Sequence, residues 1–254
     1  MINSIALWKE IFSNPQNGLS RIDKDTKIFF PLLIVLLLMA LSTALILPII
    51  QSPEYSQALV RLQAADMAEK GSPMSREQME AMERQLSSPQ VKTITTLSSL
   101  IGGVVGYILM LLVTWLLLKL ILVSVKAEAP MKVLFRIMVY IALISVVQAL
   151  LKNIITVSGN WERYMRMVQS KEDLQIALSS PISLASVVSH EKAGITGYFL
   201  IDAVTDVFNW LYYIFLYLAL RWTLNIEKRK ALTATIISAI VFIGIGLLFS
   251  MIAR

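Results

Sequence analysis

The sequence predicts an all-α membrane protein with five transmembrane helices. Of its 254 residues, 56% are hydrophobic and only 16% are charged, which is too apolar for a soluble domain. The apolar residues are gathered into five blocks, at 28–50, 97–125, 133–157, 197–224 and 231–253. Each block exceeds the roughly 20 residues that a helix needs to cross about 30 Å of hydrocarbon. The fourth block also carries two aspartates, which we expect neighbouring helices to shield from lipid.

Residues 1–27 form a separate segment ahead of the five-helix domain, which spans 28–254. Ile5, Trp8, Ile11 and Phe12 lie on one side of a short amphipathic helix. Two placements are compatible with this pattern. The helix lies in the headgroup plane, with Trp8 and Phe12 at the membrane interface, or it caps the helix bundle. Asn14-Pro15 and Asn17-Gly18 predict turns that end it.

The two long connections, 51–92 and 158–196, carry helix-start signals and are expected to be helical rather than extended loops. Capping-box pairs and Ser-Pro starts recur in both, at Ser75 with Gln78, Ser170 with Asp173, Ser52-Pro53, Ser88-Pro89 and Ser180-Pro181. Trp161 and Tyr164 are placed to lie at the membrane interface.

Positive charge is denser in the N-terminal segment and the two short connections than in the long connections. Nine lysines and arginines lie in those three regions, at Lys9, Arg21, Lys24, Lys27, Lys126, Lys132, Lys228, Arg229 and Lys230. The long connections, about twice as long in total, balance their basic residues with acidic ones. The charge pattern predicts a cytoplasmic N-terminus and an outer C-terminus.

The fourth helix is the candidate functional element. At 100° per residue, Asp202, Asp206, Asn209, Tyr213 and Tyr217 share one face, and the opposite face is apolar. Ionised carboxylates that face lipid cost several kcal/mol, so this polar face is expected to turn toward neighbouring helices.

Helix three offers partners for that face. Gln148 and Lys152 share one side of it, and Lys152 is expected at the depth of Asp202, so a Lys152–Asp202 pair is predicted. Asp206 lies about one turn deeper, with no evident cation. Two interpretations stay open. The five residues Asp202, Asp206, Asn209, Lys152 and Gln148 form an ion or polar-substrate site, or they hold the bundle together, close to water at its outer interface.

Helix two contains Gly102 and Gly106 at the spacing that permits close helix approach. Such spacing also arises by chance in apolar segments. We interpret the pair as a helix-packing site rather than a dimer face.

No motif indicates an enzyme, a metal site or a cofactor. The chain has no cysteine, no nucleophile elbow, no phosphate-binding loop and no His-Glu-x-x-His sequence. Six methionines in the outer connections could bind Cu(I), but methionine is also common apolar filler. The basic residues lie beside membrane helices, so no nucleic-acid partner is expected.

Trp8-x-x-Ile11-Phe12-x-Asn14-Pro15 precedes five helices, and a Met- and Glu-rich helical stretch at 72–86 follows the first of them. With this layout the chain resembles bacterial members of the Yip1-domain family. The resemblance implies a multi-pass protein of the cytoplasmic (inner) membrane, whose eukaryotic relatives bind Rab-type GTPases and one another in vesicle traffic. The N-terminal segment here is shorter than theirs and lacks an Asp-Leu-Tyr-Gly-Pro-like stretch. The resemblance therefore gives no ground for GTPase docking and assigns no functional residue.

Two functions follow as expectations. The first is a non-catalytic membrane-organising or scaffold role, with the lipid bilayer and a second copy or other membrane proteins as partners. The alternative is a transporter or channel for an ion, lipid or small polar solute, which uses the polar face of helix four.

Overall fold

A computed structural model describes residues 4–178, 182–188 and 190–252. Of the described residues, 83% are helical and none lies in a strand, so the predicted all-α class is confirmed. The start predicted at Ser180-Pro181 lies outside the described residues.

The helices follow one another along the chain with short connections. They are α1 (Ser4–Ser13), α2 (Pro15–Ser20), α3 (Phe29–Ile50), α4 (Pro53–Glu69), α5 (Arg76–Leu86), α6 (Pro89–Ser124), α7 (Met131–Ser158), α8 (Trp161–Met167), α9 (Lys171–Ala177), α10 (His190–Thr205), α11 (Val207–Trp222) and α12 (Lys228–Ile252), with a 3₁₀ turn at Leu184–Val187. The capping boxes at Ser75 and Ser170 and the Ser-Pro starts of α4 and α6 are present as predicted. One expectation was wrong, because Asn17 and Gly18 lie inside the short helix α2 rather than in a turn.

Four continuous helices, α3, α6, α7 and α12, are long and apolar enough to cross a membrane. A fifth crossing is available if the bent pair α10 and α11 counts as one span. The central span is α7, since 56% of its most apolar stretch is buried, against 17% for α3. It packs against α3, α6 and α11, which leave their outer sides exposed. Exposed apolar faces of this extent are expected where lipid is the solvent.

The N-terminal segment caps one end of this bundle. Trp8 is buried, and its indole Nε1 donates a hydrogen bond to the Tyr140 carbonyl in α7 at 3.0 Å. Ile11 is fully buried beside it, while Phe12 is partly exposed and stacks against Phe215. Of the two placements left open by the sequence, the structure therefore favours the cap. The Trp8 ring packs in the protein core, and its assignment to the membrane interface stays a prediction.

The cap and the two short connections lie at the same end of the bundle. Thr223, which follows α11, donates to the Leu19 carbonyl, and Arg136 of α7 donates to the Thr26 carbonyl. Lys230 reaches from the start of α12 to the Lys126 carbonyl between α6 and α7. These contacts gather the lysine- and arginine-rich regions together, as the charge pattern requires.

The long connections form a helical layer at the opposite end. A second apolar core there contains Ile49, Ala58, Met165 and Val168, with Trp161 partly buried against it. The Arg61 guanidinium donates to the Met165 and Arg166 carbonyls at 2.8 and 3.1 Å and so joins the two connections. Tyr164 is 59% exposed, a position that suits an interfacial side chain, whereas Trp161 has a packing role as well.

The packing expected of Gly102 and Gly106 is not found within the chain. A methyl group added at either position would meet no atom within 4 Å, and both residues face outward. The close approach of α6 to α3 occurs instead at Gly103, where an added Cβ would lie 2.6 Å from Thr43 Oγ1 of α3. The side of α6 that packs against α3 therefore carries Gly103, whereas Gly102 and Gly106 lie on exposed sides of the helix.

A Gly103→Val substitution is expected to destabilise the folded protein by about 1–3 kcal/mol through overpacking against Thr43. Gly102→Val changes helix propensity equally and meets no neighbour, so it is the matched control. Thermal unfolding in detergent measures both. A Thr43→Ala substitution should restore most of the stability that Gly103→Val removes, and equal effects at the two glycines would contradict this packing.

Candidate functional site in the broken fourth span

The fourth span is broken at Asp206. Helix α10 ends at Thr205, α11 begins at Val207, and the two axes differ by 53°. Asp206 has extended backbone angles, and its Oδ1 accepts a hydrogen bond from the Phe208 amide at 2.8 Å. The continuous helix predicted over 197–224 was wrong for a local reason. An aspartate carboxylate can bond to its own backbone and start a new helix, so it competes with helix continuation.

Side chains of α11 satisfy carbonyls that the break releases. Asn209 Nδ2 donates to the Ala203 carbonyl at 2.9 Å, and Trp210 Nε1 donates to the Val204 carbonyl at 2.7 Å. Unbonded backbone groups are costly at membrane depth, and broken helices persist there only where such partners exist. The break is thus an integral part of the fold.

Lys152 of α7 pairs with both aspartates. Its Nζ lies 2.9 Å from Asp202 Oδ2 and 3.1 Å from Asp206 Oδ2. The structure therefore contains the predicted Lys152–Asp202 pair. The expectation that Asp206 lacks a cation was wrong, because the two carboxylates, four residues apart, lie on one side of the span and one ammonium group reaches both.

Two further polar side chains complete the cluster. Gln148 Nε2 donates to Asp206 Oδ2 at 2.7 Å and approaches Asn209 Oδ1 at 3.2 Å. The Ser183 hydroxyl, just before the 3₁₀ turn, donates to Asp202 Oδ1 at 2.7 Å. Sequence periodicity could not indicate Ser183, since it lies in an irregular connection. All five predicted site residues and Ser183 form one connected network, called here the Lys152 cluster.

The Lys152 cluster is closed and internally bonded. The Asp206 side chain is fully buried, and those of Lys152 and Asp202 are each 17% exposed. All four carboxylate oxygens of the two aspartates accept a hydrogen bond from the protein. With both carboxylates ionised the three charged groups carry a net charge of −1, which the N-terminal dipole of α11 at Asp206 helps to stabilise.

The cluster offers no evident metal site. Residues 4–178, 182–188 and 190–252 contain no group of three or more His, Cys, Asp and Glu side chains that could hold a metal ion.

The break also separates the tyrosines from the carboxylates that were predicted to share their face. Tyr213 and Tyr217 line a groove of about 320 Å³ between the broken span and α12. Asn209 lies between the groove and the Lys152 cluster and contributes to both. The bend changes the direction of α11, so the residues of the single predicted polar face lie on two adjoining surfaces.

A model of the Yip1 domain matches residues 9–251, which include most of the N-terminal cap, both outer connections and the spans up to the last residue of α12. The chain belongs to the Yip1 domain family. No curated protein and no solved structure matches it. The broken span and the Lys152 cluster of this Yip1-domain protein lie entirely inside the matched region.

Lys152→Met is expected to destabilise this Yip1-domain protein by about 3–5 kcal/mol, because it leaves the buried Asp206 carboxylate and the largely buried Asp202 carboxylate without a cation. Thermal unfolding in detergent measures the loss. Adding Asp202→Asn and Asp206→Asn to Lys152→Met should recover part of the stability. The solvated pair Arg76–Glu80 provides the control, since Arg76→Met should change stability by less than about 1 kcal/mol. If Lys152→Met and Arg76→Met lowered the stability equally, that result would contradict a structural role for the Lys152 ion pairs.

Proposed function

We propose that this Yip1-domain protein is a non-catalytic membrane-organising scaffold. The observation that carries the proposal is the closure of the Lys152 cluster around Asp206, whose side chain is fully buried and fully hydrogen-bonded. A site for transported ions needs ligand atoms that can exchange with water. Here the carboxylate oxygens accept hydrogen bonds from the protein itself, so we assign the cluster a structural role.

The Lys152 cluster joins the broken span to α7, the central helix of the bundle. Lys152 and Gln148 belong to α7, which also packs against α3 and α6, while Asp202 lies in the last turn of α10 and Asp206 caps the start of α11. Because α7 and the two halves of the broken span are fixed relative to one another, the outer faces of α3, α6 and α12 keep a constant arrangement. Such faces suit lateral contacts with lipids, with a second copy or with other membrane proteins.

The proposed orientation puts the N-terminal cap and the short connections in the cytoplasm of a bacterial cell, at the inner membrane. Its support is the basic character of that end of the bundle, which includes Lys126, Lys228, Arg229 and Lys230. The helical layer of the long connections then lies outside.

A transporter or channel is the second candidate, and the broken span favours it. Discontinuous helices with a carboxylate or substrate at the new helix terminus are typical of secondary transporters. In this version of the function, Lys152 exchanges between Asp202 and Asp206, and the outer helical layer acts as a lid.

A flux assay separates the two candidates. The protein is reconstituted into vesicles that contain a pH-sensitive or a cation-sensitive dye, and an ion gradient is imposed. The scaffold proposal expects no flux above that of protein-free vesicles. A saturable flux that Asp206→Asn abolishes, in a variant that still unfolds at a wild-type temperature, would overturn the scaffold and establish the transporter.

The scaffold proposal also predicts lateral association. Because the chain has no cysteine, Gln85→Cys at an exposed position allows labelling with a single donor or acceptor dye. Energy transfer between labelled copies in vesicles should persist on tenfold dilution with lipid, beyond the level expected for random mixing. Transfer that falls to the random level, with no other membrane protein recovered by cross-linking in cells, would contradict a scaffold.

A further inference from the structure

The groove between the broken span and α12 opens toward the outside of the bundle. Its cavity measures about 320 Å³. Its rim residues Trp210, Ile214, Leu232 and Ile236 are each about half exposed, and the lining is almost entirely apolar. In a membrane such a rim faces lipid, so the groove is accessible to a molecule that diffuses within the bilayer.

The length of the groove matches one leaflet. Along α12 its lining extends from Leu232 to Ile243. Eleven residues of helix rise about 16 Å, close to half of the roughly 30 Å hydrocarbon core. The groove begins near the end of the bundle that carries the N-terminal cap and extends past Asn209, beside the Lys152 cluster, to Ala203 and Val204 of α10. One acyl chain of a single leaflet fits this span.

Two of the three helices that line the groove, α11 and α12, carry a cation about one turn beyond the end of the groove on the cap side. On α12, Lys228 precedes Leu232 by four residues and lies on the same side as Leu232 and Ala239. On α11, Arg221 follows Tyr217 by four residues. The Arg221 guanidinium donates a hydrogen bond to the Ile226 carbonyl at 2.7 Å, and a guanidinium has further donors.

The two cations differ in the contacts that they already make. Lys228 is exposed and makes no ion pair or side-chain hydrogen bond with any described residue, and its acidic neighbour Glu227, which is also exposed, precedes the first residue of α12. An ammonium and a guanidinium at the hydrocarbon boundary are the groups that recognise a lipid phosphate.

We propose that this groove is a binding site for an anionic phospholipid of the leaflet on the cap side. The phosphate pairs with Arg221 and Lys228, and one acyl chain lies along α11 and α12 as far as Asn209. The site goes beyond the scaffold function and does not depend on it, because the same lipid could bind to a scaffold or to a transporter.

The test titrates the full chain in detergent micelles with phosphatidylglycerol or with phosphatidylcholine of identical acyl chains. Native mass spectrometry counts the bound lipids. We expect one phosphatidylglycerol to bind with an affinity at least tenfold above that of phosphatidylcholine. Lys228→Gln should weaken phosphatidylglycerol binding about fivefold, and the double variant with Arg221→Gln about thirtyfold. Lys132→Gln removes an exposed charge at the same end of the bundle and should have less than a twofold effect.

A second pair of variants tests the acyl chain. Ala239→Phe fills the groove and should weaken binding at least tenfold, whereas Ile240→Phe enlarges an exposed neighbour and should not. The proposal is overturned by equal affinities for the two lipids, by unchanged binding in Lys228→Gln, or by unchanged binding in Ala239→Phe. Displacement of the lipid by millimolar inorganic phosphate would also overturn it, since that result assigns the cations to a free anion.

Discussion

The pairing of one buried lysine with two aspartates is the interaction on which the arrangement of the spans depends. Lys152 comes from the central helix α7, while Asp202 and Asp206 come from the two halves of the broken span. In a bilayer none of these charges could be left alone, because a lone ionised side chain in hydrocarbon costs several kcal/mol. Each therefore requires the others, and the requirement fixes the position of α10 and α11 against α7.

The two aspartates lie one helical turn apart, directly at the bend. The Asp206 amide still donates to the Asp202 carbonyl at 3.0 Å, so the four-residue spacing places both carboxylates on one side, within reach of a single ammonium group. Capping by Asp206 then ends one helix and begins another. The released carbonyls of Ala203 and Val204 are satisfied by Asn209 and Trp210. Local polar chemistry and tertiary pairing support one another here.

The two ends of the bundle are closed in different ways. At one end the N-terminal helices seal the core, with Trp8 bonded to the Tyr140 carbonyl of α7. At the other end the long connections build a helical layer over a small apolar core, joined by Arg61. The central part of the bundle is thus held between two caps, and the faces of α3, α6 and α12 remain available to lipid or to partners.

The sequence by itself determined the class of the protein, its apolar spans and most helix starts, because these depend on local hydrophobicity and on capping residues such as Ser75 and Ser170. It also identified the residues of the Lys152 cluster, since charged side chains in an apolar segment need partners. Only the tertiary structure decided that the fourth span breaks at Asp206, that Ser183 joins the cluster, that Trp8 is buried, and that Gly103 makes the close approach. The physical reason is that periodicity describes a straight helix. Which side of that helix meets a neighbour, and where it bends, depends on contacts between residues far apart in the chain.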